Sequence, residues 1–146
     1  MRKNIIILLA SGFGLGLIPK APGTFGTLLG LVLAVLFPDN IFLITSTVVL
    51  GIWISQEAEM ALQEHDSPKI IVDEIAGYLI AVYTWNGIYL IIGFLLFRAL
   101  DILKPAPINR LQKLPGGFGV MADDLAAGLI TNIIMQAAVF VFLHIF

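Results

Sequence analysis

The chain has 146 residues, of which 59% are hydrophobic and only 12% charged, with a net charge of -2 and no cysteine. A typical soluble domain carries roughly 25% charged residues, so an ordinary water-covered surface is excluded and lipid is the expected solvent. The acidic balance excludes a nucleic-acid-binding face, and the missing cysteine excludes disulfides, thiolate metal sites and thiol nucleophiles.

The N-terminal stretch MRKNIIILLASGFGLGL resembles a secretory signal, with Arg2 and Lys3 ahead of an apolar run. It is read as part of the folded chain, because no small-x-small cleavage site follows and the run passes straight into a Gly/Pro motif. That motif, GLGLIPKAPGTFGT at 14–27, leads into the first predicted helix at about 25–37. It lacks the Gly-Lys-Ser/Thr ending of a P-loop and the strand-helix-strand setting of a dinucleotide fingerprint. Its Pro22-Gly23-Thr24 step offers backbone N–H groups at a helix start, with Lys20 beside them and Thr24 or Thr27 as hydroxyl donors, a setting that attracts phosphate. Ordinary capping and close helix packing through glycine would produce the same residues.

Pro38-Asp39-Asn40 is a turn signal, and a second helix is expected at 41–64. Ser67-Pro68 reads as N-cap and first residue of a third helix at 68–85. On length alone Ile75–Phe97, without a charge, would be one membrane span. Trp85-Asn86-Gly87 at its centre is a turn signal, so a helical hairpin is predicted instead, with a fourth helix at 88–104 stopped by Pro105 and Pro107. A fifth helix is predicted at 122–145, capped by Asp123 or Asp124. The expected fold is all-α: one domain, 1–146, a membrane-embedded bundle of about five helices with hairpin turns near 38–40 and 86–87. A 13-residue helix is about 20 Å long, short of the roughly 30 Å hydrocarbon core, so only the second and last are comfortable spans.

In this hairpin arrangement Arg2, Lys3, Lys20, Lys69, Arg98, Lys104, Arg110 and Lys113 share one side, which the positive-inside rule assigns to the cytoplasm. Nine of the ten acidic residues share it, all but Asp39. Five of these form tight motifs: Asp73-Glu74 in IIVDEIAG, Asp101 in FRALDILKPAPI and Asp123-Asp124 in GGFGVMADDLAAG. Carboxylates at a low-dielectric boundary repel one another and need cations. Oxygen ligands alone suit a hard ion such as Mg²⁺, which keeps waters and takes substrate phosphate. Helix capping and pairing with Lys or Arg is the competing explanation for each acid. Asp73 and Glu74 lie about 100° apart on a helix, so one of the two is expected to face the metal. Arg98, Asp101 and Lys104 share one helical stripe, fit either for holding phosphate and metal or for an intrahelical ion-pair row. No Asp-x-Asp-x-Thr signature is present, and His65 and His144 are the only histidines. Metal-assisted attack of water remains, with Arg and Lys stabilising the transferring phosphoryl group.

The four pieces at 14–27, 70–77, 97–108 and 116–128, in this order, resemble the phosphatidylglycerophosphatase A family. The resemblance covers about residues 11–130 and implies a Mg²⁺-dependent enzyme of the bacterial inner membrane. It further implies hydrolysis of phosphatidylglycerophosphate to phosphatidylglycerol and phosphate, and the hairpins with the positive-inside rule make the expected protein multi-pass with its site facing the cytoplasm. The family's more soluble all-helical relatives favour a compact bundle. The working assignment is Asp73, Asp101, Asp123 and Asp124 on metal, Glu74 as ligand or supporting carboxylate, and Lys20, Gly23, Thr24, Arg98 and Lys104 on phosphate. The partner is then a membrane lipid, with no obligate protein partner expected. A phosphatase for another lipid phosphate or a soluble phosphomonoester is the main alternative. A cation channel subunit would instead need acids at mid-membrane depth.

Overall fold

A computed structural model describes residues 2–145, apart from the side chain of Arg2. That side chain, one of the eight charges assigned to the basic side, lies outside the described residues. The fold is all-helical, and no strand occurs among the described residues. Among the described residues seven α-helices replace the expected five: α1 (Arg2–Ala10), α2 (Pro22–Leu36), α3 (Ile41–Leu62), α4 (Val72–Ala81), α5 (Ile88–Leu103), α6 (Ile108–Leu111) and α7 (Gly116–Ile145). The two additions, α1 and the single-turn α6, flank the anticipated core.

Both predicted hairpins form. Tyr78 of α4 donates its hydroxyl proton to the Leu90 carbonyl of α5 at 2.8 Å. Its ring also packs edge-on against Phe94 and Phe97, so α4 and α5 run antiparallel. The Thr84 N–H donates to Asp39 Oδ1 at 2.8 Å, which ties the α2–α3 turn to the α4–α5 turn at one end of the bundle.

Helix ends differ from the expectation wherever a distant residue intervenes. The third helix starts at Val72 and ends at Ala81, not 68–85. At its start, Ser67 does not cap: its hydroxyl donates to Glu64 Oε2 at 2.6 Å, and the Ile71 N–H is taken by the Ala10 carbonyl at 2.9 Å. At its end, Asn132 Nδ2 of α7 donates to the carbonyls of Ile80, Ala81 and Tyr83 at 3.1, 3.1 and 2.9 Å. The Ile80 carbonyl also takes the Tyr83 N–H at 3.2 Å, but those of Ala81 and Tyr83 would otherwise lack partners at a helix terminus, so the chain leaves the helix early at little cost. The last helix starts at Gly116, not 122, because Gln56 Oε1 of α3 accepts the Gly117 N–H at 2.9 Å. Asp123 and Asp124 therefore lie inside α7 and cap nothing.

The ten-residue α4, about 15 Å long, is the buried centre of the bundle, with eight of its residues buried. It packs against α2, α3, α5 and α7. One apolar cluster joins it through Val72 and Ala76 to Ile6, Ala58, Val120 and Met121. A second joins it through Tyr78 to Phe97, Ile108 and Ala127. The contact with α7 is glycine on glycine: a Cβ on Gly128 would lie 2.1 Å from the Gly77 carbonyl oxygen. The outer surfaces are the reverse of a soluble protein, with Phe42, Val35, Leu95, Phe140 and Leu143 exposed. Two helices, α3 and α7, are long and apolar enough to cross a membrane.

Candidate metal and phosphate site

The charged groups gather at the end of the bundle opposite the two hairpin turns. Asp73 and Glu74 occupy the first turn of α4, where a helix start favours negative charge. Asp124 comes from α7. One carboxylate oxygen from each of the three lies within 4.8 Å of the other two. The expectation that only one of Asp73 and Glu74 faces this point is corrected. Glu74, one methylene longer, reaches it through space left by α2, where a Cβ on Gly23 would lie 2.4 Å from Glu74 Oε1.

Asp73 and Asp124 are almost wholly buried, and Asp73 Oδ1 and Glu74 Oε2 have no hydrogen-bond partner. Native proteins rarely leave buried polar atoms unpaired. Burial, with Glu74 alongside, pushes Asp73 well above the usual carboxylate range, and burial pushes Glu74 up to about 8. Loss of hydration and mutual repulsion both disfavour the charged forms, and a bound cation relieves both. Three carboxylates without nitrogen or sulfur donors fit a small hard divalent ion.

The other two predicted acids sit beside this cluster with cationic partners. Asp101 accepts from Arg98 Nη1 within α5, and it lies within electrostatic reach of Glu74 and Asp124. Asp123 Oδ2 accepts from Lys104 Nζ at 2.6 Å, while its Oδ1 is buried and unpartnered. The stripe Arg98–Asp101–Lys104 is thus an intrahelical pair in its first half only. Lys104, left-handed (φ 41°) at the end of α5, turns away to α7.

Of the phosphate-binding candidates, Gly23 and Arg98 lie against the same point. Gly23, the second residue of α2, is buried, and its built Cβ would meet Arg98 Nη1 at 3.0 Å as well as Glu74. Arg98 Nε is buried without a partner. Lys20 is exposed and Thr24 half-buried. Thr27 is removed as a donor to ligand, because its buried hydroxyl donates to the Gly23 carbonyl at 2.9 Å. His65 is an exposed loop residue held 2.5 Å from Glu59 Oε1. Sequence reasoning missed Gln56 and Asn132, which seat the two helices that carry the carboxylates. The available signal for Asn132 was an amide inside an otherwise apolar run.

Comparison with known proteins points the same way. The profile of the phosphatidylglycerophosphatase A family matches residues 8–139. A Haemophilus influenzae protein named phosphatidylglycerophosphatase A is 40% identical, the match covering 92% of this chain and 88% of that one. An Escherichia coli K12 protein of the same name is 34% identical over 85% of this chain and 77% of its own length. A Bacteroides thetaiotaomicron protein, provisionally named a phosphatidylinositol-3-phosphatase, is 35% identical over 90% of this chain and 92% of its own length. No solved structure matches.

Proposed function

The chain belongs to the phosphatidylglycerophosphatase A family, and from that premise we propose that it removes the terminal phosphate of phosphatidylglycerophosphate. The products are phosphatidylglycerol and inorganic phosphate. The observation that carries the reading is the buried Asp73–Glu74–Asp124 group with Arg98 and the start of α2 against it. A carboxylate group alone would hold a cation. A cation site bordered by a guanidinium and a helix start is suited to a phosphomonoester.

In this mechanism Asp73, Glu74 and Asp124 would hold Mg²⁺, which would there supply positive charge against the phosphate and lower the cost of the attack by water. Arg98, steadied by Asp101, and Lys104, steadied by Asp123, bind the non-bridging phosphate oxygens and the charge that grows on them during transfer. Lys20, Thr24 and the Gly23 N–H hold the same group from the α2 side. Water forms the new bond to phosphorus as the bond to the glycerol oxygen breaks. A carboxylate with a free oxygen, such as Asp123 at Oδ1, takes one proton from the attacking water and passes it on to the departing glycerol oxygen.

The apolar shell and the lengths of α3 and α7 support a membrane protein. We assign the charged end to the cytoplasmic side of a bacterial inner membrane, following the positive-inside rule. There a lipid phosphate lies at headgroup depth. The test is phosphate release by purified protein from phosphatidylglycerophosphate, phosphatidic acid and phosphatidylinositol 3-phosphate, each with and without Mg²⁺. Fastest release from phosphatidylglycerophosphate, dependent on Mg²⁺, is expected. Faster release from the inositol lipid would reassign the headgroup.

A further inference from the structure

Beside the carboxylate cluster, on the same end of the bundle, lies a separate concavity of about 200 Å³. Its walls are the turn Gly16–Pro19, Pro22 at the start of α2, and Pro68-Lys69 ahead of α4. It shares two walls with the cluster. Pro22 precedes Gly23, which touches Glu74 and Arg98, and Lys69 lies in the turn four residues before Asp73. The two walls are held together closely, since a Cβ on Gly16 would lie 2.4 Å from the Lys69 carbonyl oxygen.

The chemistry of this concavity is divided. Lys69 supplies a cation, and unlike Arg98 and Lys104 it makes no ion pair among the described residues. Leu17 and Ile18 supply an apolar wall, and Leu17, with nearby Phe13, is exposed at the outer rim. A ligand that fits has an anionic group against Lys69 and an apolar continuation along Leu17 toward lipid.

We propose that this concavity binds the phosphodiester of the lipid substrate and that Lys69 is the cation that recognises it. This rests on the phosphatase reading above and deepens it. A phosphatidylglycerophosphate molecule has two phosphates one glycerol unit apart. The terminal monoester lies at the Asp73–Glu74–Asp124 site, the glycerol bridges past Pro22, and the diester reaches Lys69 with its acyl chains along Leu17. Lys69 is then a specificity-determining residue: it binds a group that does not react, so it contributes equally to ground and transition states.

The experiment compares wild type, Lys69→Gln and Lys69→Arg in mixed micelles with Mg²⁺. The inhibitors are phosphatidylglycerol, which has the diester alone, and inorganic phosphate, which occupies the monoester site alone. With Lys69→Gln, KM for phosphatidylglycerophosphate should rise roughly tenfold, the loss typical of one charged hydrogen bond, with kcat within about twofold. Inhibition by phosphatidylglycerol should weaken by a similar factor and inhibition by inorganic phosphate should not change. Lys69→Arg should restore KM. An unchanged KM with unchanged phosphatidylglycerol inhibition overturns the proposal. So does a fall in kcat accompanied by weaker inhibition by inorganic phosphate, since that places Lys69 in the reacting site. A wild-type enzyme that releases no phosphate from phosphatidylglycerophosphate refutes the underlying reading before any variant is made.

Discussion

Gly23 of α2 and Glu74 of α4 are in such close contact that a Cβ at position 23 would lie 2.4 Å from Glu74 Oε1. The atom in the way is part of the carboxylate cluster, and Arg98 Nη1 stands on the other side at 3.0 Å. Any side chain at 23 must displace one of two charged groups of the site.

Gly23→Ala should therefore reduce phosphate release by about a hundredfold, the scale of an ångström-sized misplacement in an active site, while leaving the fold intact. Glu74 and Arg98 side chains can swing away without unpacking a helix. The check is kcat/KM beside thermal unfolding: a normal rate would show that Glu74 and Arg98 move freely without consequence.

Removing one carboxylate separates metal binding from stability. Asp73→Asn and Asp124→Asn should each weaken Mg²⁺ activation by more than the roughly 10–100-fold typical of losing a supporting partner outside the ligand set. Both variants also delete one of several buried like charges. In metal-free detergent solution they should be slightly more stable than wild type, by ~1 kcal/mol or a few degrees in Tm. Wild-type Mg²⁺ dependence in both variants would remove these residues from the metal site.

Asn132 is predicted to stabilise the α4–α5 hairpin from a distance. Asn132→Leu strands the carbonyls of Ala81 and Tyr83 and should cost about 1–3 kcal/mol. Gln136→Ala, which removes only the donor to Asn132 Oδ1 at 2.5 Å, should cost less. Thermal unfolding of both in one detergent measures the difference, and equal values would show that the helix end needs no amide from α7.

Membrane topology can be tested directly because the chain lacks cysteine. Asn86→Cys and Pro115→Cys lie at opposite ends of the bundle, near the hairpin turn and at the start of α7. Membrane-impermeant maleimide should label them from opposite sides of the bilayer. Labelling from one side would contradict a transverse α4–α5 hairpin.

Local chemistry made the hairpin legible in the sequence: Asn86-Gly87 breaks a run that length alone would make one span, and Pro105 stops α5. The ends of α4 and α7 were not legible, because Ala10, Gln56 and Asn132 decide them across dozens of residues. The site divides in the same way. Acidic motifs on three helices are visible in order, and so is their common end of the bundle. Which acids meet is a matter of helix rotation. That rotation turns Asp124 toward Asp73 and Glu74 as well as Asp101, which also pairs with Arg98, and leaves Asp123 with Lys104. Thr27 illustrates the limit: one turn from Thr24, it points inward.

The Gly77–Gly128 contact has a mechanical consequence. Where two helices meet main chain to main chain, no rotamer can flex to let one slide along the other. Asp73 and Asp124, borne on those two helices, are therefore held at a separation set by main-chain contact rather than by adaptable side chains. A metal bound across that seam would find its ligand spacing dictated by the backbone.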